Sequence, residues 1–345
     1  MKRKNFIKTL SLVSASPLIA SERIFSYPIK QHQKIKPPRL KEGDSIALVT
    51  PGSYISEKEL EDCIKNLHSL GFNTVYNKSV LNKIGYFSGN DKQRTEELME
   101  MFSRKDVDGI MCARGGYGCS RILPFLDYEI IKNNPKVLIG YSDVTALLYG
   151  IYSKTGLICF HGPVGISIFN EFSTNYLKDV LISPHKRLVL ISGPEGNGSE
   201  PVTIRSGKAE GELIGGNLSV IVSLIGTEYD IDTENKIIFL EETTEEPYRI
   251  DRMLTQMLMS GKFKGAAGIA LGVFDDCEPK KEDPSFENSF SLMEVLFDRL
   301  SGLSIPVIYG LSFGHIKNKF TLPFGINAEL NADEKKLTLI EKAVV

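Results

Sequence analysis

The chain has 345 residues, enough for two domains, and its hydrophobic content of 42% and charged content of 24% are typical of globular proteins. A net charge of −2 gives no electrostatic footprint for nucleic acid, so no such partner is predicted. No apolar run reaches the roughly 18–20 residues that cross a bilayer, so no stable membrane span is predicted either.

The N-terminus has a composition of its own. Four basic residues occur in the first eight positions, no acidic residue precedes Glu22, and residues 10–20 are weakly apolar. A basic stretch followed by a short apolar one is typical of a secretory signal. We therefore predict a signal segment at residues 1–25, similar to a twin-arginine signal with Lys4 in place of the second Arg. Export to the periplasm follows; the alternative is a disordered basic tail on a cytoplasmic protein.

Strands and helices alternate through the first half of the chain. The predicted strands are residues 45–50, 73–76, 109–113, 136–140 and 157–160. Ser56, followed by Glu59, and Asn90 are predicted to cap the first two helices, and a third helix is predicted from Asp143. This alternation predicts an α/β fold in which a parallel sheet is covered on both faces.

The regular pattern fades between residues 170 and 207, where three prolines and a Gly-rich cluster at 193–198 occur. We interpret residues 170–207 as a linker between a first domain, 38–169, and a second domain, 208–345. The second domain is predicted to hold strands at 236–240, 268–273 and 306–309, helices at 250–258 and 290–300, and a C-terminal β-hairpin of 326–330 with 336–340.

The five cysteines are an odd number without metal-ligand spacing, which predicts neither a disulfide framework nor a metal site. They are Cys63, Cys112, Cys119, Cys159 and Cys277. Cys112 and Cys159 lie in apolar strand-like runs, so we interpret both as core residues and not as nucleophiles.

Ser142 is the candidate nucleophile because it follows a predicted strand and precedes a helix. A sharp turn there would lift the hydroxyl out of the sheet, and the amide of Asp143 at the helix start would stabilise an oxyanion. Val144 stands where the second Gly of a G-x-S-x-G turn would be, and a plain helix cap is the alternative for Ser142. For the Asp143 side chain, the alternative is a favourable interaction with the helix dipole.

A Gly-rich turn follows the third predicted strand. The amides of Gly115 and Gly116 are candidates for a second oxyanion donor, and Arg114 is a candidate for holding a substrate carboxylate. A purely structural turn is the alternative. The phosphate-binding motifs of nucleotide-binding α/β proteins are missing, which counts against that class.

Two segments of the second half carry an acid and a base. Glu241 ends an apolar strand beside Glu242, and neighbouring strand residues point to opposite faces, so one is expected to face a cleft and the other solvent. A solvated acidic loop is the alternative. His315 is the candidate general base for Ser142, oriented by a carboxylate. His161 is the competing histidine, and we interpret it as a cleft-wall residue.

Taken together, these segments resemble the LD-carboxypeptidase family of serine peptidases over residues 40–342. The segments that carry the resemblance are Ala-Arg-Gly-Gly-Tyr-Gly at 113–118, Gly-Tyr-Ser-Asp-Val-Thr at 140–145, His-Gly-Pro at 161–163, Gly-Gly-Asn-Leu at 215–218, Leu-Glu-Glu at 240–242, Tyr-Arg-Ile-Asp-Arg-Met-Leu at 248–254, and the loop from Gly314 to Gly325. The resemblance implies a flavodoxin-like N-terminal domain, related to class I glutamine amidotransferases, and a smaller C-terminal α/β domain. It also implies a homodimer.

The resemblance further implies a Ser142, His315 and Glu241 triad at the interface of the two domains, acting without metal or cofactor. The implied reaction removes the terminal D-alanine from a peptidoglycan tetrapeptide at an L,D bond. A microcin-immunity-type peptidase, which cleaves amides joining peptides or amino acids to nucleotide-like groups, is the alternative within the family. A non-catalytic binding protein for cell-wall peptide is the alternative outside it.

Overall fold

The computed structural model describes residues 33–193, 200–282 and 284–345. The predicted signal segment lies outside the described residues, as does most of the Gly-rich cluster at 193–198. Within the described ranges, no helix is both long enough and apolar enough to cross a membrane.

The first sheet is built around five parallel strands in the order β2-β1-β3-β4-β5. They are β1 (Ser45–Val49), β2 (Asn73–Val75), β3 (Gly109–Cys112), β4 (Val137–Gly140) and β5 (Phe160–His161). Every residue of β3 and β4 is buried. Since side chains alternate between the two faces of a strand, both faces of this sheet are covered, as predicted. The fifth strand is shorter than predicted and starts at Phe160.

The described part of the first half holds five α-helices, of which the first two begin directly after their predicted caps. They are α1 (Glu57–Ser69), α2 (Asp91–Ser103), α3 (Cys119–Ile122), α4 (Tyr128–Asn133) and α5 (Thr145–Thr155). Ser56 and Asn90 both form capping boxes, in which side chains pair reciprocally with the backbone N–H groups of the first turn. The helix predicted from Asp143 starts instead as a 3-10 turn over Ser142–Val144, and α5 follows it.

The second sheet has eight strands among the described residues, in the order β6-β14-β13-β8-β9-β10-β11-β7. They are β6 (Leu188–Leu190), β7 (Val202–Arg205), β8 (Lys208–Asn217), β9 (Lys236–Thr243), β10 (Gly268–Asp275), β11 (Val307–Leu311), β13 (Asn327–Asn331) and β14 (Lys336–Leu339). The four strands from β8 to β11 are parallel, and the outer ones are antiparallel. The predicted hairpin is confirmed, with Leu330 opposite Leu337.

Residues 170–207 are more regular than the fading pattern predicted. They hold a helix, α6 (Glu171–Leu181), together with β6 and β7. These two strands are only three and four residues long. β6 pairs with β14 and β7 pairs with β11, and both partners come more than a hundred residues later in the chain. No local periodicity in the sequence therefore predicts these two strands. The remaining helices are α7 (Leu218–Leu224), α8 (Pro247–Met259) and α9 (Leu292–Leu300).

Two connections bring the sheets to one place. The backbone N–H of Asn217, at the end of β8, donates to the Thr145 hydroxyl at the start of α5 over 3.1 Å. After β11 the chain returns to the first sheet, where β12 (Leu322–Pro323) pairs antiparallel with β5. The loop between β11 and β12 therefore starts at the second sheet, ends at the first, and carries His315.

Candidate active site

Ser142 occupies a strained turn at the carboxyl end of β4. Its φ is +64°, a left-handed conformation that is uncommon for residues other than glycine and clusters at functional sites. The turn after β3 lies directly against it. A Cβ added at Gly115 would stand 2.8 Å from the Ser142 Cβ and 3.1 Å from its Oγ. Only glycine allows this approach, and it places the Gly115–Gly116 turn beside the hydroxyl.

His315 and Glu241 form a direct pair. The His315 Nδ1 lies 2.7 Å from the Glu241 Oε2, and the carboxylate is completely buried. Burial raises the pKa of Glu241, but the hydrogen bond and charge of His315 outweigh it and bring the pKa below its ordinary value. The carboxylate therefore stays ionised at neutral pH. Since Nδ1 is engaged, Nε2 is the ring nitrogen left for a second partner.

Tyr141 connects this pair to the candidate nucleophile. The ring of His315 packs edge-on against the Tyr141 ring, with centroids 4.8 Å apart, and Tyr141 directly precedes Ser142. Within the described residues, no hydrogen bond joins the Ser142 hydroxyl to the imidazole. Catalytic hydrogen bonds in ligand-free enzymes are often long and shorten only when substrate binds. The structure thus brings all three predicted residues to one region and pairs two of them.

Glu242, the neighbouring acid, has a different environment from the predicted one. It is buried, and its carboxylate accepts from the Asn217 side-chain amide over 2.9 Å and from the Ser219 N–H over 2.7 Å. Burial raises its pKa. The expectation that one of the two acids is solvated is therefore wrong, because Glu242 closes the first turn of α7. The carboxylate that meets His315 is that of Glu241.

The side chains of Asp143 and Arg114 are both engaged with the protein. The Asp143 carboxylate is buried, which raises its pKa, and it accepts from the Cys119 N–H over 2.9 Å at the start of α3. The Arg114 guanidinium lies 3.6 Å from a Glu59 carboxylate oxygen and donates to the Tyr54 carbonyl over 3.4 Å. Neither contact involves Ser142, and the oxyanion and substrate roles of these residues remain predictions.

His161 was predicted to line the wall of the cleft, but the structure buries it behind the site. Its side chain is about 1% exposed and packs among the rings of Tyr141, Phe239 and Phe313. Burial lowers its pKa to about 4, so the imidazole is neutral near pH 7. The sequence did not reveal this burial because the covering strand, β12, comes from the far end of the chain and pairs Leu322 with His161.

Lys319 is a residue of the site that the sequence analysis missed. It is buried on the loop that carries His315, and its Nζ lies 4.3 Å from the centroid of the Tyr141 ring. A lone cation in the segment Asn-Lys-Phe-Thr-Leu is its only sequence signal.

Within the described residues, no group of three or more His, Cys, Asp or Glu side chains is arranged to hold a metal ion. Cys112 and Cys159 are fully buried, which confirms them as core residues.

Replacing Gly314 with Ala should disturb the His315–Glu241 pair. Gly314 has a φ of +114°, and a Cβ there would lie 2.9 Å from the Val273 carbonyl and 3.1 Å from the Glu241 Oε2. We expect a loss of about 1–3 kcal/mol in the free energy of unfolding. Urea denaturation measures this loss, and the NMR resonance of the His315 Nδ1 proton reports the pair. Gly302→Ala is the matched control, because a Cβ there meets no atom within 4 Å. Equal stability of the two variants would contradict the expectation.

Comparison with known families places the chain. Residues 46–162 match the model of the LD-carboxypeptidase N-terminal domain, and residues 210–330 match that of the LD-carboxypeptidase C-terminal domain. The chain belongs to the LD-carboxypeptidase family. The N-terminal match contains Ser142, and the C-terminal match contains Glu241 and His315. Membership of this family makes the protein a peptidase.

Two curated relatives each cover most of the chain. A probable murein peptide carboxypeptidase of Bacillus subtilis (strain 168) is 38% identical over 317 residues, or 87% of this chain and 92% of its own length. The microcin C7 self-immunity protein MccF of Escherichia coli is 31% identical over 346 residues, which cover 91% of this chain and 98% of MccF. A solved structure of MccF matches with a TM-score of 0.82 at 27% identity, covering 90% of this chain and 100% of that one.

A muramoyltetrapeptide carboxypeptidase from Oxalobacter formigenes also matches in structure. Its TM-score is 0.71 at 32% identity, and the match covers 86% of this LD-carboxypeptidase family chain and 97% of the other. The mixed α/β architecture with two sheets is thus shared with solved members of the family.

Proposed function

We propose that this protein is a serine-type LD-carboxypeptidase that removes the terminal D-alanine from peptidoglycan tetrapeptides. The observation that carries the proposal is the 2.7 Å contact between His315 and the buried Glu241, packed against the residue that precedes Ser142. A buried, ionised carboxylate bonded to the Nδ1 of an imidazole is the arrangement that prepares a histidine to act as a general base. The murein peptide carboxypeptidase relatives support the substrate class.

The reaction follows from these roles. The Ser142 hydroxyl attacks the carbonyl carbon of the third residue while His315 accepts its proton, and Glu241 stabilises the resulting imidazolium. The amides of Gly115, Gly116 and Asp143 hold the oxyanion. The imidazolium then returns the proton to the amine of the leaving D-alanine. Water, deprotonated by His315, hydrolyses the acyl-enzyme and regenerates Ser142.

The fold supports this arrangement of roles. The strand order β2-β1-β3-β4-β5 is that of flavodoxin-like sheets, which bind ligands beyond the carboxyl ends of their strands. We infer that a flavodoxin-like domain at 38–169 supplies the nucleophile and that the domain at 208–345 supplies the acid and the base. The close approach of Gly115 to Ser142 supports an oxyanion site at this edge.

A second candidate is a microcin-immunity-type peptidase. It is favoured by the TM-score of 0.82 with MccF, which exceeds the 0.71 with the muramoyltetrapeptide carboxypeptidase. MccF has been solved in complex with aspartyl sulfamoyl adenosine, an amino acid joined to a nucleotide-like group. In this chain, such a ligand would be cleaved by the same three residues.

Parallel incubations distinguish the two candidates. The protein is given a muropeptide tetrapeptide in one reaction and aspartyl sulfamoyl adenosine in the other, and mass spectrometry follows the products. Loss of one alanine from the tetrapeptide is the expected result. Cleavage of the sulfamoyl compound alone would favour the second candidate. Binding of the tetrapeptide without any cleavage would favour a non-catalytic protein.

We also propose that the protein is exported to the periplasm and acts as a homodimer. The basic and apolar composition of residues 1–25 supports export. N-terminal sequencing of the native protein tests it, because an intact Met1 on the mature protein would contradict removal of a signal segment. Light scattering of the purified protein tests the dimer, and a monomeric mass at working concentration would contradict it.

A further inference from the structure

Lys319 is buried in the site, and a hydrogen bond of its backbone fixes its position. Its N–H donates to the Ser173 hydroxyl on α6 over 3.0 Å, and only about 5% of the residue is exposed. Long cationic side chains usually extend along the surface and keep the ammonium in water. Here the ammonium instead lies over the ring of Tyr141, 4.3 Å from its centroid.

This ammonium lacks an anionic partner within the part of the chain that the structure describes. Among the described residues, no carboxylate lies within salt-bridge distance of the Lys319 Nζ, and no oxygen accepts a hydrogen bond from it. Glu241 is the carboxylate whose charge acts on it, and Glu241 is already bonded to His315. Burial lowers the pKa of Lys319 to about 8, so most of it is still charged at pH 7. A buried charge that has an aromatic face but no direct anionic partner is unfavourable unless a ligand supplies that partner.

The position of this charge matches one group of the proposed substrate. The C-terminal carboxylate carbon is separated from the scissile carbonyl carbon by three bonds of about 1.3–1.5 Å each, so the two carbons lie within about 4 Å. Tyr141, which contacts Lys319, directly precedes the nucleophile Ser142. Arg114, the cation that the sequence suggested for this role, lies beside Glu59.

We propose that Lys319 binds the C-terminal carboxylate of the substrate and so restricts cleavage to the last residue of the peptide. This inference rests on the proposed carboxypeptidase function. Such a contact selects the last peptide bond of the substrate. When an internal peptide bond lies at Ser142, no carboxylate reaches the ammonium, so the transition state for its cleavage lacks this interaction. Lys319 is then a specificity-determining residue that touches the substrate beside the reacting bond.

The test compares Lys319→Met with the wild-type protein on two substrates, the tetrapeptide and the same peptide with a C-terminal amide. We expect Lys319→Met to lose about 10- to 100-fold in kcat/KM on the acid, mainly through KM, and little on the amide. Lys319→Arg should retain part of the preference for the acid. Lys317→Met, a change at an exposed lysine two residues away, is the matched control and should behave as wild type. Thermal melting checks that each variant is folded.

Two kinetic outcomes would overturn the proposal. One is an undiminished preference of Lys319→Met for the acid, and the other is an equal loss on acid and amide, which indicates a structural role. A wild-type protein that cleaves neither peptide counts against the proposed function. In that case reductive methylation of Lys319, read by mass spectrometry with and without N-acetyl-D-alanine, decides the carboxylate contact. Protection by that compound supports the contact, and unchanged labelling overturns it.

Discussion

Replacing Ser142 with Ala should lower kcat for the tetrapeptide by about 10³- to 10⁶-fold, the range seen when a nucleophile is removed from a triad. The melting temperature should hardly change, because both residues carry a Cβ and the strained φ of +64° costs them the same. Quantification of released D-alanine by mass spectrometry measures the loss.

Ser223→Ala, at an exposed position on α7, is the control and should keep wild-type turnover. Near-normal kcat in Ser142→Ala would remove this hydroxyl from the mechanism. A loss of activity accompanied by unfolding would be seen in the melting curve and would not count as support.

Replacing Glu241 with Gln should lower kcat by about 10³- to 10⁴-fold with a small change in KM. Gln has the shape of Glu, but it neither carries the charge that stabilises the imidazolium nor selects the tautomer of His315 that can accept a proton. Steady-state kinetics and the NMR signals of the His315 ring measure the two effects. The adjacent Glu242→Gln is the matched control. It should lose stability by weakening the start of α7, while retaining most of kcat in the folded protein.

The stability difference between the wild-type protein and Glu241→Gln should depend on pH. The pKa of Glu241 lies below its ordinary value in the folded protein, so its ionisation stabilises the fold above the ordinary carboxyl pKa of about 4.3. That contribution disappears as the pH falls through the lowered pKa. The wild-type protein should therefore lose stability relative to Glu241→Gln in acid, as measured by urea denaturation between about pH 7 and pH 3. A stability difference that is independent of pH would contradict the ionised pair.

Local features of the chain were the most predictable. Ser56 and Asn90 cap their helices through contacts within one turn, and the C-terminal hairpin pairs residues that are close in sequence. Strands β6, β7, β8 and β12 were not predicted. Strands β6, β7 and β12 have only two to four residues and are stabilised by partners far along the chain, so no periodic pattern marks them. The ten-residue β8 was missed although it is long.

The candidate site divides in the same way. Ser142, Glu241 and His315 each follow a recognisable strand or motif, and their order along the chain was enough to suggest one family. The strand pattern alone left open which of the two adjacent acids meets the histidine, since Glu241 and Glu242 have the same chemistry and differ only in the face of β9 they occupy. The family resemblance selected Glu241, and the structure pairs that residue with His315. The burial of His161 and Lys319 was equally hidden, because the covering residues come from distant segments.

The sequence by itself determined the α/β architecture, the starts of the first two helices and the three candidate residues of the site, because each depends on short-range patterns or on motif order. Only the tertiary structure decided that Glu241 contacts His315 over 2.7 Å and that Glu242 accepts a hydrogen bond from the first turn of α7. It also placed the Lys319 ammonium over Tyr141, with no anionic partner among the described residues. These features depend on the way the loop between β11 and β12 returns from the second sheet to the first. A contact between residues 74 positions apart, like that of Glu241 with His315, is set by packing and not by neighbouring sequence.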